Sequence, residues 1–130
     1  MANFSFVSSA HANTIIKKIE EIESQLGARI GVSIYDVTDN KLWNYNGDTR
    51  FPLMSTFKTL ACAKLLDDVE KGLQSFSTST VITKSSLVKW SPVTKKHIGE
   101  KFTLKQACSA AMIMSDNTAT NIVLTGIKGP

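Results

Sequence analysis

The chain has 130 residues, of which 42% are hydrophobic, and a formal net charge of +4. This length and composition fit one small globular domain with a modest core. We expect no membrane partner, because no run of eighteen apolar residues that could form a spanning helix occurs. The basic residues are scattered, with one moderately basic region over residues 84–105. We interpret that region as a solvated surface and expect no nucleic-acid partner.

The first twelve residues end in Ala10-His11-Ala12 and carry no charge before His11. This small-x-small ending is typical of a signal-peptidase site, although the positively charged region of a leader is missing and the apolar stretch is short. We interpret residues 1–12 as the remnant of a secretory signal peptide, with an ordinary disordered terminus as the alternative. The protein would then be periplasmic or secreted, where disulfides form.

The next segment predicts an amphipathic helix, because its apolar residues recur at spacings of four, three and four. The helix should begin near Asn13 or Thr14 and end at Gly27. The apolar residues are Ile15, Ile19, Ile22 and Leu26.

Two strands should follow, "ARIGVSIYDV" over residues 28–37 and "LWNYN" over residues 42–46, with the turn "TDNK" between them. Their alternating apolar residues predict an antiparallel hairpin. A two-stranded hairpin is marginal by itself, and after residue 50 only residues 81–83 offer a further strand.

A second helix is predicted to begin at Ser55, run to Lys71 and stop at Gly72. Lys58 lies three residues after Ser55, on the same helix face. Ser55 would sit where free backbone N–H groups favour a developing anion, and a buried Lys58 with a lowered pKa could accept its proton. The alternative is an N-cap serine and a surface lysine, since S-x-x-K alone occurs by chance in many proteins.

Thr103 and Gln106 form a capping-box signature before the apolar helix "LKQACSAAMIM". "SDN" at residues 115–117 then interrupts the apolar pattern, and a last helix is predicted over residues 118–126. In such a break, polar side chains can point into a cleft. S-x-x-K and S-D-N, in this order, are two of the three sequence elements of serine β-lactamases and penicillin-binding proteins.

The sequence resembles the class A serine β-lactamases and, among them, the carbenicillin-hydrolysing penicillinases. The resemblance covers residues 13–130 and rests on "RFPLMSTFKTLACAKLL", "WSPVTKKHIG", "ACSAAMIMSDNTATNIVL" and the terminal "KGP". It implies the α+β fold of the serine β-lactamases and penicillin-binding proteins, in which helices flank an antiparallel sheet. Residues 13–130 would be the N-terminal part of that domain, truncated before the C-terminal strands.

The resemblance also assigns roles to single residues. Ser55 matches the family's nucleophile, and its backbone N–H matches an oxyanion-hole donor. Lys58 matches the proton acceptor or relay of acylation, and Ser115 matches the serine that passes a proton to the β-lactam nitrogen. Asn117 matches the amide that binds the substrate side-chain carbonyl. Trp90 matches an aromatic residue at the cleft rim, with ordinary packing as the alternative. The implied partner is a β-lactam substrate, without a cofactor or metal.

Cys62 and Cys108 match the paired cysteines of many class A members, so the resemblance implies a disulfide between two helices. Two buried free thiols are the alternative. A zinc site is disfavoured, because the histidines, His11 and His97, form no pair with ligand spacing.

The sequence departs from the family in two respects. Residues 1–130 contain no K-T-G element, and no acidic residue that could activate the deacylating water follows Asp116. We therefore expect a serine β-lactamase of which this chain alone is defective in turnover. The full-length family member should be a monomer, and a C-terminal fragment could complement the chain. The alternatives are a penicillin-binding D,D-peptidase, a non-hydrolysing β-lactam sensor or binding domain, and a purely helical interaction module.

Overall fold

The computed structural model describes residues 9–129, without the side chains of residues 9–13. The chain divides into two compact units, Met1–Pro52 and Leu53–Pro130. Within residues 9–129, no helix is long and apolar enough to cross a bilayer. Residues 1–8 of the expected leader lie outside the described part of the chain.

The first unit begins with helix α1, Ser9–Leu26. The predicted helix is therefore present, but the predicted start at Asn13 or Thr14 is wrong. Nothing between Ser9 and Asn13 breaks a helix, and alanine, which occurs twice there, has the highest helix propensity. The end is as predicted, since Gly27 follows with φ +56°, a conformation that glycine adopts without strain.

The predicted hairpin is confirmed as strands β1, Val32–Asp36, and β2, Lys41–Tyr45. The strands are antiparallel, and their register runs from the pair Val32–Tyr45 to the pair Asp36–Lys41. The α1 carboxylate of Glu23 accepts hydrogen bonds from the Ile30 backbone N–H, at 2.7 Å, and from the Tyr45 hydroxyl. These bonds attach the hairpin to α1.

The second unit opens with a 3₁₀ turn, Met54–Thr56, which leads into helix α2, Phe57–Glu70. The predicted second helix is confirmed, but Ser55 lies in the turn before α2 and not in its first α-helical turn. Gly72 follows α2 with φ +70°, as expected of a helix stop.

Strands β3, Ser79–Val81, and β4, Lys101–Thr103, form a second antiparallel pair. The strand predicted over residues 81–83 is therefore shifted, and β4 was not predicted. Three residues are too few to show a period of two, and the partner strand lies about twenty residues away along the chain. Helices α3, Leu104–Met114, and α4, Asn117–Gly126, complete the unit. The capping box of Thr103 and Gln106 is present at the start of α3.

The core of the second unit lies where α2, α3 and α4 meet the β3–β4 pair. Leu65 of α2 and Val123 of α4 are completely buried, and Phe102 of β4 is nearly so. The smallest members, Ala107 of α3 and Ala119 of α4, are fully buried and allow the helices to approach closely. This packing fixes the start of α2 beside the break between α3 and α4.

The predicted disulfide is confirmed. Cys62 of α2 and Cys108 of α3 are bonded, with a Cα–Cα distance of 5.7 Å and a sequence separation of 46 residues. The bond ties the helix that carries Lys58 to the helix that ends before Ser115.

We expect reduction of this disulfide to lower the free energy of unfolding by at most about 4 kcal/mol, the chain-entropy value for a loop of this length. Guanidinium denaturation with and without a reductant measures the change. The Cys62→Ser/Cys108→Ser variant serves as the control, because its stability should not respond to the reductant. Titration of two free thiols in the folded, non-reduced protein would contradict the assignment.

Candidate active site

Ser55 lies in an exposed turn at the entrance to α2. The turn is fixed by the Thr56 backbone N–H, which donates to the Leu53 carbonyl at 3.0 Å, and by the Thr56 hydroxyl, which donates to the same oxygen. Met54 holds φ +48°, an uncommon conformation for a residue with a side chain. This local structure leaves the Ser55 hydroxyl open to a molecule from solution.

Lys58 is buried, with only 3% of its surface exposed. Its Nζ donates hydrogen bonds to the Ser115 carbonyl at 2.6 Å, the Ser115 hydroxyl at 2.9 Å and the Asn117 Oδ1 at 2.7 Å. Three acceptors match the three N–H donors of an ammonium group. Burial nevertheless lowers the pKa of Lys58, against the opposing effect of the Asp116 negative charge. The neutral amine is therefore easier to form here than on the surface.

The Ser115 hydroxyl lies between the other two polar groups of the site. Its Oγ is 3.1 Å from the Ser55 Oγ and 2.9 Å from the Lys58 Nζ. The sequence suggested that Lys58 could accept a proton directly from Ser55. In the described part of the chain no hydrogen bond joins these two side chains directly, and the Ser115 hydroxyl bonds to both of them.

Ser115 adopts the left-handed conformation, with φ 53° and ψ 34°, at the end of α3. Its backbone N–H donates to the Ala110 carbonyl and closes the last turn of the helix. Non-glycine residues rarely hold this conformation unless the surroundings impose it. Here it turns the chain between α3 and α4 and places the carbonyl and hydroxyl oxygens of Ser115 against the Lys58 amine.

Asp116 organises this break, and the sequence analysis did not select it. It is completely buried, and its carboxylate accepts hydrogen bonds from three backbone N–H groups and one hydroxyl. The donors are the N–H groups of Val93, Thr94 and Ala119 at 2.8–2.9 Å and the Thr94 hydroxyl at 2.9 Å. Burial alone raises the pKa of Asp116, but these hydrogen bonds outweigh that effect and lower it, so the group is ionised at neutral pH.

Part of the role of Asp116 was visible in the sequence. An aspartate directly before a helix is a preferred N-cap, and the Ala119 bond is an N-cap bond. The bonds to residues 93 and 94 could not be inferred, because those donors lie more than twenty residues earlier, at the start of a 3₁₀ helix of only three residues.

We expect Asp116→Ala to lower the free energy of unfolding by about 3 kcal/mol or more, because it leaves several buried N–H groups without an acceptor. The lowered pKa also gives the sign of the pH dependence. The stabilisation is complete above the ordinary aspartate pKa of about 3.9 and is lost as the pH falls through the lower folded-state value. Guanidinium denaturation at several pH values tests both effects. The exposed Asp48→Asn is the control; equal losses in both variants would contradict the assignment.

Asn117 is held at three points. Its backbone N–H donates to the Trp90 carbonyl at 2.9 Å, its Nδ2 donates to the Lys89 carbonyl at 2.8 Å, and its Oδ1 accepts from Lys58. An amide nitrogen carries two N–H donors, and the Lys89 bond uses one of them. The orientation of this side chain is therefore defined.

Trp90 lies beside the break between α3 and α4, with 63% of its surface exposed and φ +63°. Its indole N–H donates to the Met114 carbonyl at 3.1 Å. The structure thus brings Trp90 close to Ser115 and Asn117. His97 takes no part in this site; its ring is 2.7 Å from the Glu100 carboxylate.

Two hydroxyls, a buried amine and an oriented amide, arranged at the meeting point of helices in an α+β fold, define a serine–lysine site. Comparison with known proteins gives its family. Residues 14–129 match the β-lactamase enzyme family, and the chain belongs to that family.

β-Lactamase PSE-4 of Pseudomonas aeruginosa is 48% identical over 125 residues, which are 96% of this chain and 43% of that protein. The crystal structure of the chromosome-encoded β-lactamase of Vibrio parahaemolyticus has 49% identity and a TM-score of 0.82, and the match covers 88% of this chain and 43% of that one. A variant of the last common ancestor of Gram-negative class A β-lactamases gives a TM-score of 0.85 at 38% identity, over 90% of this chain and 44% of that one.

These comparisons confirm the predicted resemblance and the predicted α+β fold of the class A β-lactamases. The chain spans less than half the length of the relatives it matches. Its similarity to them extends across nearly all of its own residues.

Proposed function

We propose that this chain carries the acylation site of a class A serine β-lactamase. The observation that supports the proposal is the continuous contact from the Ser55 hydroxyl through the Ser115 hydroxyl to the buried amine of Lys58. The matching proteins are named β-lactamases, which favours this function over that of a D,D-peptidase or a sensor domain.

In the proposed reaction the Ser55 Oγ attacks the β-lactam carbonyl carbon and forms an ester. The Ser55 proton passes through Ser115 to the neutral amine of Lys58. The carbon–nitrogen bond of the lactam ring then breaks, and the nitrogen takes a proton from the Ser115 hydroxyl. Lys58 returns its proton to Ser115, so the step consumes and releases no net proton. General acid–base groups act most efficiently when their pKa lies near the working pH. Burial lowers the pKa of Lys58 from its ordinary value and so brings it closer to that pH.

The substrate proposed is a penicillin, which carries an acylamino side chain next to the lactam ring. The remaining N–H of the Asn117 amide would donate to the carbonyl of that side chain, and the exposed ring of Trp90 would line the rim. The carbenicillin-hydrolysing group is supported by the identity with PSE-4 and with a relative named CARB-3, which is also 48%.

Release of the acyl group by water needs a base that we propose lies outside residues 1–130. In residues 9–129 no carboxylate touches the Ser55 hydroxyl, whose hydrogen-bond partner is the Ser115 hydroxyl. The disulfide supports a periplasmic or secreted location, because such bonds persist in oxidising compartments. We propose that the protein acts as a monomer and that a C-terminal fragment of a relative could complement this chain.

Incubation of the chain with a fluorescent penicillin tests the proposed substrate class. We expect one covalent label per chain, mapped by mass spectrometry to the peptide that contains Ser55. Prior incubation with benzylpenicillin should block the label, and a peptide ending in D-Ala-D-Ala should not. Protection by that peptide, together with its cleavage, would point to a D,D-peptidase, and a label on another residue would contradict the proposal.

A further inference from the structure

Residues 86–94, called here the rim segment, run past the site and carry Trp90. Three consecutive residues at the start of α4 each bind this segment. Asp116 binds residues 93 and 94, and Asn117 binds the carbonyls of residues 89 and 90. Thr118 accepts from the Val88 backbone N–H at 3.0 Å.

Ser91 joins Thr118 in holding the backbone of Val88. Its Oγ1 lies 2.7 Å from the Oγ of Ser91, and the Ser91 hydroxyl donates to the Val88 carbonyl at 2.7 Å. A hydroxyl has one proton to donate, so Ser91, which donates to Val88, accepts from Thr118. The Thr118 hydroxyl also lies 3.4 Å from the Ser86 carbonyl, a longer contact than the 2.7 Å to Ser91. The hydrogen bonds therefore form a closed loop from the N–H of Val88 through both hydroxyls and back to its carbonyl.

The two hydroxyls are well removed from water, with residue exposures of 1% for Thr118 and 8% for Ser91. Buried polar groups of this kind are costly to leave unpaired, so the loop fixes the backbone of Val88. Lys89 and Trp90, whose carbonyls hold Asn117, follow directly. Trp90 also holds φ +63°, a conformation that an aromatic residue keeps only where neighbouring structure imposes it.

We propose that Thr118 and Ser91 are positioning residues for substrate recognition. Through Val88 they hold the Lys89 and Trp90 carbonyls that orient the Asn117 amide toward the side-chain carbonyl of a penicillin. This inference rests on the proposed function, because it concerns how the same site selects its substrate. Neither hydroxyl touches Ser55 or Lys58, so neither is placed in the proton route.

Substitutions that remove or keep the two hydroxyls of the closed loop test this proposal. Thr118→Val keeps the shape of the side chain and removes the hydroxyl, whereas Thr118→Ser keeps the hydroxyl. Ser91→Ala opens the loop from the other side. Thr120→Val is the matched control: Thr120 lies in the same helix, is only 2% exposed, and its hydroxyl donates to the Asp116 carbonyl at 2.7 Å, away from the rim segment.

The first measurement is the fluorescence anisotropy of Trp90, made in a Trp43→Phe background so that a single tryptophan emits. We expect Thr118→Val and Ser91→Ala to lower the anisotropy, because the rim segment loses its attachment, and Thr118→Ser and Thr120→Val to leave it unchanged. Unchanged anisotropy in both loop-opening variants would overturn the proposal, whatever the activity of the protein.

The second measurement is the ratio of the acylation rate constants for benzylpenicillin and for 6-aminopenicillanic acid, which lacks the side-chain carbonyl. Thr118→Val and Ser91→Ala should lower this ratio about tenfold, the effect of one misplaced hydrogen bond, and Thr118→Ser should restore it. Equal slowing of both compounds, or the same change in Thr120→Val, would overturn the proposal. If neither compound acylates the wild-type chain, the proposed function fails and the anisotropy alone decides whether Thr118 and Ser91 fix the rim segment.

Discussion

Lys58→Ala is expected to slow acylation of Ser55 by benzylpenicillin about 10²–10⁴-fold, the usual contribution of a general base. The amine is the terminal group of the contact series that begins at the Ser55 hydroxyl. Its removal also leaves the oxygens of Ser115 and Asn117 without their buried donor. Intact-mass spectrometry of samples quenched at increasing times gives the rate. Lys64→Ala is the control, because Lys64 lies on the same helix but is half exposed and paired with Asp68.

The Lys58→Arg variant distinguishes a role of Lys58 as proton acceptor from a role of its positive charge alone. Arginine keeps a positive charge but cannot be deprotonated, so it cannot accept the Ser55 proton. We expect this variant to remain as slow as Lys58→Ala. Recovery of the wild-type rate by Lys58→Arg would show that Lys58 acts only through its charge.

The pH dependence of acylation and of stability gives a second test of the role of Lys58. Burial lowers the pKa of Lys58, so acylation should rise with pH at values below the ordinary lysine pKa of about 10.4. Between the folded and unfolded pKa values the unfolded chain binds more protons, so stability rises with pH across that interval. Lys58→Met should remove this slope. A rise in acylation centred at the ordinary lysine pKa would contradict the proposed effect of burial.

Residues 1–130 alone are expected to take up one penicillin and to release it so slowly that no sustained hydrolysis is observed. Residues 9–129 bring together the hydroxyl that we propose as nucleophile, the Lys58 amine, the hydroxyl that we propose as relay and the Asn117 amide. The sequence contains no acidic residue after Asp116 and no K-T-G element. Without a base to activate water, the acyl-enzyme ester should persist, because general acid–base catalysis usually contributes about 10²–10⁴-fold in rate.

Nitrocefin hydrolysis measures this turnover. The chain is assayed alone and together with a separately produced C-terminal portion of a related β-lactamase, and we expect sustained hydrolysis only in the mixture. The same mixture made with Ser55→Ala is the control and should be inactive. Sustained hydrolysis by the chain alone, lost in Ser55→Ala, would show that a residue within 1–130 supplies the deacylation base.

The parts of the site that sequence could predict are those encoded by short local motifs. Ser55 and Lys58 are three residues apart in the sequence, and Ser115 and Asn117 stand in one tripeptide. The disulfide came from the family resemblance. The order of the two motifs along the chain was sufficient to suggest that they meet.

The parts that sequence could not predict depend on contacts between distant segments. Strand β4 has three residues and gains its structure from β3, so no periodic pattern marks it. The position of Ser115 between Ser55 and Lys58 follows from its left-handed backbone, which no propensity for serine indicates. The attachment of the rim segment to Thr118 joins residues about thirty positions apart and leaves no signal in either segment.

The central claim is that Ser55 is the residue that a β-lactam acylates. The most direct test is the intact mass of the 130-residue chain after incubation with benzylpenicillin, compared among the wild type, Ser55→Ala and Ser109→Ala, an exposed serine of α3. The account predicts that the wild type and Ser109→Ala each gain the mass of one penicillin and that Ser55→Ala gains none. A full mass increase in Ser55→Ala, or none in a folded wild-type chain, would contradict it.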